Sequence, residues 1–315
     1  MDQGPRWLTG IVVLLAGGST ASAQPPNYHH ERPSVVPSSG QEDAKFAVGQ
    51  RVVATRTETL EIAGTVVGHL LIGTTSEIVE IRDAKLRVRA FRGWVPVSAV
   101  VDSAEATNYF GARIRREPDV PRWREARARV WIDRGQVYLA IAEYSDLIER
   151  YPEHRGYYRA RGFAYWLKGL NVEALADFDK ALEIKPDAAS FAGRGKVRLG
   201  AGNFLGALQD FDNAILLDRS SADPYNDRAW LWSTCPDRRY RDAERAVASA
   251  REACKLTSYE DYTTIDTLAA AHARAGDYAA AMHWQTVAIK LAPENRRPPL
   301  RGRLSLYERE EPYTH

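Results

Sequence analysis

Residues able to do chemistry are present in this chain but scattered. His272 and His283 stand eleven residues apart on separate predicted helices, without an adjacent metal-type partner. His69 and His154 are isolated, and His29-His30 is a bare pair in a proline-rich stretch, short of the donor number a metal ion needs. Ser233, Ser249 and Ser258 lie outside any nucleophile-elbow pattern. Gly193-Arg194-Gly195-Lys196 has the residue types of a phosphate loop but not its spacing. The acidic pairs Asp177/Asp179 and Asp210/Asp212 recur with the sequence around them, which marks a repeated surface. Cys235 and Cys254 are the only cysteines, too few for a cysteine-only zinc site. An oxidising compartment would allow one disulfide between them, and two buried thiols are the other outcome. Catalysis needs groups that converge in a dry pocket with shifted pKa values. No such convergence is legible, so we assign no catalytic residue, no cofactor and no metal site.

The elements that would position such groups follow from composition and periodicity. The chain has 315 residues, 44% apolar and 27% charged, enough for two ordinary domains. A formal charge of +2 gives no general attraction to nucleic acid or anionic membrane. The arginines at 113, 115, 116, 122, 124, 127, 129 and 134 are the densest basic stretch, interrupted by Glu117, Asp119, Glu125 and Asp133. Residues 1–23 read as a secretion signal: Arg6, an apolar run from Trp7 to Gly17, then Ala21-Ser22-Ala23 before a cleavage point. The run is short of the roughly 20 residues of a membrane span, and no later segment is apolar enough to cross. An uncleaved N-terminal anchor is the alternative. Residues 24–45, with prolines at 25, 26, 33 and 37, read as a disordered linker.

From 46 to 101 the period is that of short strands, punctuated by Gly49, Gly64, Gly68, Gly73, Asp83 and Gly93. Leu86, Val88 and Ala90 alternate with Lys85, Arg87 and Arg89, one dry face and one wet. Phe46, Ile78 and Trp94 are expected to fill a small interior. Val48-Gly49-Gln50-Arg51-Val52, Gly73-Thr74-Thr75 and Gly93-Trp94-Val95-Pro96-Val97 resemble the bacterial SH3-like family, which implies an all-β barrel. Residues 102–120 are expected to be a linker, partly helical around Ala104 to Phe110.

After Pro121 the pattern becomes helical and self-similar. Arg161-Gly162, Gly169 and Ala174-Leu175-Ala176-Asp177-Phe178-Asp179-Lys180-Ala181 return as Arg194-Gly195, Gly202 and Ala207-Leu208-Gln209-Asp210-Phe211-Asp212-Asn213-Ala214, displaced by 33 residues throughout. Small residues let two helices cross closely, aromatics fill the wedge between them, and glycine reverses the chain. With Gly162, Ala174, Ala181 and Pro186, and equivalent positions in the neighbouring units, this resembles the tetratricopeptide (TPR) family. Five hairpins are expected, 121–154, 155–187, 188–221, 222–261 and 262–295, forming an all-α TPR-like superhelical solenoid. The fourth is lengthened around Cys235-Pro236-Asp237 and, with Ala253-Cys254-Lys255-Leu256-Thr257, resembles a TPR subtype of planctomycete-like bacteria. Residues 296–315 form a polar C-terminal tail in which Pro298 and Pro299 break helix at once; fraying is expected, or a short cap through Leu304, Leu306 and Tyr307.

The TPR resemblance implies that positions 2, 5, 9, 12 and 13 of each unit face a concave groove. Those positions include Glu125, Arg129, Asp133, Arg159, Phe163, Trp166, Lys196, Asp266, Ala270 and Arg274. Phe163 and Trp166 beside Arg159 and Lys196 would make an apolar anchor rimmed with charge; packing of Trp166 on the next hairpin is the competing outcome. The Asn/Lys/Arg clamp of family members that hold acidic chain ends is not matched, since Lys196 has no accompanying groove asparagine in this reading. The function implied is a non-enzymatic protein- or peptide-binding adaptor or scaffold of the cell envelope or periplasm. A structural spacer or self-assembling envelope component is the alternative, and polyanion or cell-wall binding through the barrel and the Arg-rich 113–134 region a minor one.

Overall fold

Strands form where β-branched residues alternate with charged ones, and helices where apolar residues recur every three or four. A computed structural model describes residues 46–62, 65–82, 85–89 and 94–315. The expected signal and first linker lie outside the described residues, as do Gly64, Asp83, Ala90 and Gly93. The chain gathers into two compact units that divide after Lys168.

Among the described residues of the first unit, seven strands come first: β1 (Arg51–Ala54), β2 (Glu58–Ile62), β3 (Thr65–Leu70), β4 (Thr75–Arg82), β5 (Lys85–Val88), β6 (Trp94–Pro96) and β7 (Val100–Asp102). Five of them form an antiparallel sheet in the order β6-β5-β4-β1-β7, while β2 and β3 pair as a hairpin. Leu60 and Leu70 of the hairpin meet Val52, Ile78, Leu86, Val88 and Val95 of the sheet in one core. Phe46 and Ile78 are in it as expected. Trp94 is not: it stays partly exposed at the sheet margin, with the Arg82 guanidinium 5.3 Å from its ring centroid.

Alternation along β1 gives the sheet a second buried face. Val52 and Ala54 enter the first core, and Val53 points the other way, against Ala106, Phe110 and Trp123. The segment expected to be a linker, partly helical around Ala104 to Phe110, therefore carries a packed helix, α1 (Ala106–Arg116). Ala106, Phe110 and Ile114 recur every fourth residue and make one dry stripe among arginines. Helices α2 (Pro121–Asp133), α3 (Val137–Arg150) and α4 (Arg155–Leu167) follow. Ala128, Ala140, Ala160 and Ala164 keep them close, and Tyr144, Leu147 and Tyr157 fill the space between.

The second unit holds α5 (Asn171–Ile184), α6 (Ala188–Gly200), α7 (Phe204–Leu217), α8 (Ala222–Thr234), α9 (Ala243–Leu256), α10 (Tyr262–Arg274), α11 (Tyr278–Leu291) and α12 (Arg297–Tyr307). Close approach explains Gly193 and Gly195: a Cβ would lie 2.4 Å from the Phe178 ring and 2.7 Å from the Phe211 ring. Both cysteines are buried free thiols. Burial raises the pKa of each, that of Cys254 to about 11. Residues 297–307 do not fray. Proline is tolerated in the first turn of a helix, whose N–H groups have no intrahelical acceptor, so Pro298 and Pro299 open α12 instead of preventing it. Leu300, Arg303 and Tyr307 form its buried face.

Candidate polypeptide-binding site

In the second unit the first helices of the last three hairpins, α6, α8 and α10, carry the expected groove positions. They are largely occupied by the chain itself. Lys196 on α6 is largely covered, its ammonium 3.3 Å from the Asp227 carboxylate on α8. Burial, opposed by Lys196 and reinforced by Asp223, pushes the Asp227 carboxyl up to about 6. Asp266 on α10 accepts from Gln285 Nε2 at 2.9 Å and from Arg303 Nε and Nη2 at 2.7 and 2.5 Å.

Arg274, at the end of α10, reaches across to α8. Its Nε donates to Ser233 O at 2.6 Å, and its Nη2 donates to Tyr313 O at 3.0 Å and Thr314 Oγ1 at 3.2 Å. This arrangement begins in the local sequence. A helix leaves its last four carbonyls without intrahelical donors, and Pro236 prevents α8 from continuing. Leu231 O accepts from Cys235 N and Trp232 O from Asp242 N. Ser233 O is left for Arg274, and Thr234 O accepts from His315 N at 2.8 Å.

The segment that delivers His315 turns back after α12. Glu310 adopts a left-handed conformation, φ 57°, and Glu311 N donates to Leu306 O. Residues 311–315 then run across α8 and α10. The Tyr313 ring lies 5.8 Å from that of Trp230, and the Arg303 guanidinium sits 5.5 and 5.6 Å from the two ring centroids. Ala269, Ala273 and Tyr307 complete the apolar floor.

Asp266 and Arg274 are expected groove residues; Trp230, Ser233 and Thr234 are not among those named from sequence. The signal was present. Positions 9, 12 and 13 of a unit starting at Ala222 are these residues, and position 5 is Asn226. Carrying the register through the lengthened hairpin would have found them. Asn226 is thus a buried groove asparagine, contrary to expectation, although Lys196 is held by Asp227.

In the first unit several of the expected positions are also held from within. Glu125 accepts from the Tyr157 hydroxyl at 3.2 Å and lies 3.7 Å from Arg129. Arg129 Nη1 donates to Ile72 O, in the turn between β3 and β4, at 2.8 Å. Asp133 is exposed and Arg159 is buried. Phe163 is buried, and half-buried Trp166 lies 5.5 Å from it, centroid to centroid. Lys196 belongs to the other compact unit. Much of the basic stretch is neutralised locally: Arg124 contacts Glu143 and Asp146, Arg127 contacts Glu143, and Arg113 lies 3.6 Å from Glu117.

The Asp227 carboxyl has a pH consequence. A carboxyl with a pKa raised on folding favours the folded state when protonated, so its contribution is complete below the ordinary value of 3.8 and is lost as pH rises through about 6. Between those values, wild type is expected to lose stability relative to Asp227→Asn by up to about 1.4 kcal/mol per pH unit. Urea unfolding at stepped pH measures this, and parallel profiles would refute it.

No protein-family model matches the chain, and no curated protein matches it. Solved structures do. A chain of the APC/C hetero-tetramer Cut9-Hcn1 is similar at 13% identity and TM-score 0.58, over 65% of this chain and 39% of that one. This chain therefore spans about two fifths of that relative. A tetratricopeptide repeat protein from Parabacteroides merdae ATCC 43184 is similar at 19% identity and TM-score 0.53, over 66% of this chain and 81% of that one. YrrB, a TPR protein with an unusual peptide-binding site, is similar at 16% identity and TM-score 0.46, over 65% of this chain and 99% of that one. At these identities the first two show the fold alone: the helical part of this chain is TPR-like.

Proposed function

We propose that this chain is a non-catalytic protein-binding scaffold whose helical repeats hold extended polypeptide. One observation carries the reading: α8 and α10 already seat such a segment, residues 311–315, through backbone and aromatic contacts. A TPR-like fold is consistent with that role, because stacked hairpins leave a continuous surface for a partner. The N-terminal pattern of residues 1–23 supports export to the periplasm or cell envelope, and the lengthened fourth hairpin supports kinship with planctomycete-like TPR proteins. The Gly-Trp-Val pattern and the small strand-built core support an SH3-like module at 46–101.

A structural spacer or self-assembling component is the second reading. It is favoured by the internal pairing of Lys196, Asp266 and Arg129. Polyanion binding through 113–134 is weakened by the local carboxylate partners of Arg113, Arg124 and Arg127.

Affinity capture from the envelope fraction of the producing cell tests the first reading, with wild type compared against Trp166→Ala and Arg274→Ala. A partner retained by wild type and lost from either folded variant is expected. Capture unchanged in both, or absent together with micromolar self-association in sedimentation, would favour the spacer.

A further inference from the structure

The segment 311–315 holds its place by contacts that any similar polypeptide could make. Arg274 reads a backbone carbonyl and a neighbouring hydroxyl, Tyr313 O and Thr314 Oγ1. Thr234 O reads a backbone N–H, that of His315. The side chains selected are the aromatic ring of Tyr313, beside Trp230 and the Arg303 guanidinium, and the Thr314 hydroxyl on Arg274. The fit is also incomplete. Arg303 Nη1 and the Tyr307 hydroxyl are buried and have no hydrogen-bond partner among the described residues. Buried donors without acceptors are costly, so a segment that supplied an acceptor there would be held better than the resident one.

We propose that residues 311–315 are a displaceable intramolecular occupant, and that the seat on α8 and α10 takes an external extended peptide with an aromatic residue followed by threonine or serine. This rests on the scaffold reading above and adds the chemistry of the ligand and its regulation. The resident segment competes as a tethered ligand, and short tethers give effective concentrations of about millimolar. Only ligands that outbid that concentration, or a chain whose segment has been drawn away, would show strong binding.

The test uses the full chain and an N-terminally fluorescein-labelled, C-terminally amidated peptide of residues 309–315, titrated by fluorescence anisotropy. Tyr313→Ala, verified as folded by circular dichroism, is expected to bind this peptide at least about tenfold more tightly than wild type. Adding Arg274→Ala, or replacing the peptide's own tyrosine by alanine, is expected to abolish the gain. Equal binding by wild type and Tyr313→Ala, or none by either, would overturn the proposal. So would a monomer–dimer equilibrium of wild type that Tyr313→Ala removes, since the occupant would then be a second copy. Should Tyr313→Ala not fold, amide hydrogen exchange in wild type decides. His315 N–H is expected to exchange at least about a hundredfold faster than the amides of buried α10, and exchange as slow as theirs would overturn displacement. Failure of these experiments with envelope capture intact would leave the scaffold reading standing.

Discussion

Arg303→Ala is expected to destabilise the second unit by about 3–5 kcal/mol, the usual effect of leaving a buried charge without its partner. Arg303 and Asp266 are both largely buried, and two of the three donors on Asp266 come from this guanidinium. Without it, Gln285 Nε2 is the remaining side-chain donor in the observed arrangement. The same truncation removes the cation above Trp230 and Tyr313. A double variant, Asp266→Leu with Arg303→Met, is expected to lose less than either single change, because apolar replacement of a whole buried pair is often neutral. Urea denaturation followed by tryptophan fluorescence measures all three. Additive losses would show that the pair acts independently.

Gly73→Ala is expected to destabilise the first unit by about 2–4 kcal/mol, combining left-handed backbone strain with overpacking. Gly73 has φ +80°, and a Cβ there would stand 2.8 Å from Ala126 Cα and 2.9 Å from its carbonyl oxygen. Backbone atoms cannot rotate away, so the turn must lift from α2, and Arg129 then loses Ile72 O. Gly49→Ala is the control. Its φ is +89° with nothing among the described residues within 4 Å of the new methyl, so strain alone remains, about 1 kcal/mol. The difference between the two melting curves isolates the contact. Equal losses would mean that the turn yields freely.

What could be read from sequence was local. The helical hairpins announce themselves because glycine, alanine and aromatic residues recur at an offset of 33, and each serves its own pair of helices. Strand β5 was legible for a similar reason: Leu86 and Val88 are buried while Lys85 and Arg87 are exposed. Relations between distant residues were not legible. Lys196 looks like a ligand-binding cation until Asp227, on another hairpin, is brought 3.3 Å from it. The α1 stripe was hidden among arginines, and α12 was hidden by two prolines that read as helix breakers. The resting place of 311–315 depends on carbonyls that only become visible once the end of α8 is known.

That helix end bears on the order in which the chain can fold. The hairpins joined through Gly135, Gly202 and Gly276 engage helix-terminal carbonyls with amides of the turn, such as Gly135 N to Ile132 O, Asn203 N to Arg198 O and Asp277 N to His272 O. Each can finish as soon as its own turn is made. Helix α8, followed by the longer connection Cys235–Asp242, cannot. Its two terminal carbonyls wait for Arg274 and for His315, so a repeat array that is otherwise local acquires a late, long-range closure. Long-range contacts form slowly because the intervening chain must first be ordered. In a chain emerging from its N-terminus, the fourth hairpin would be the one completed after its successors.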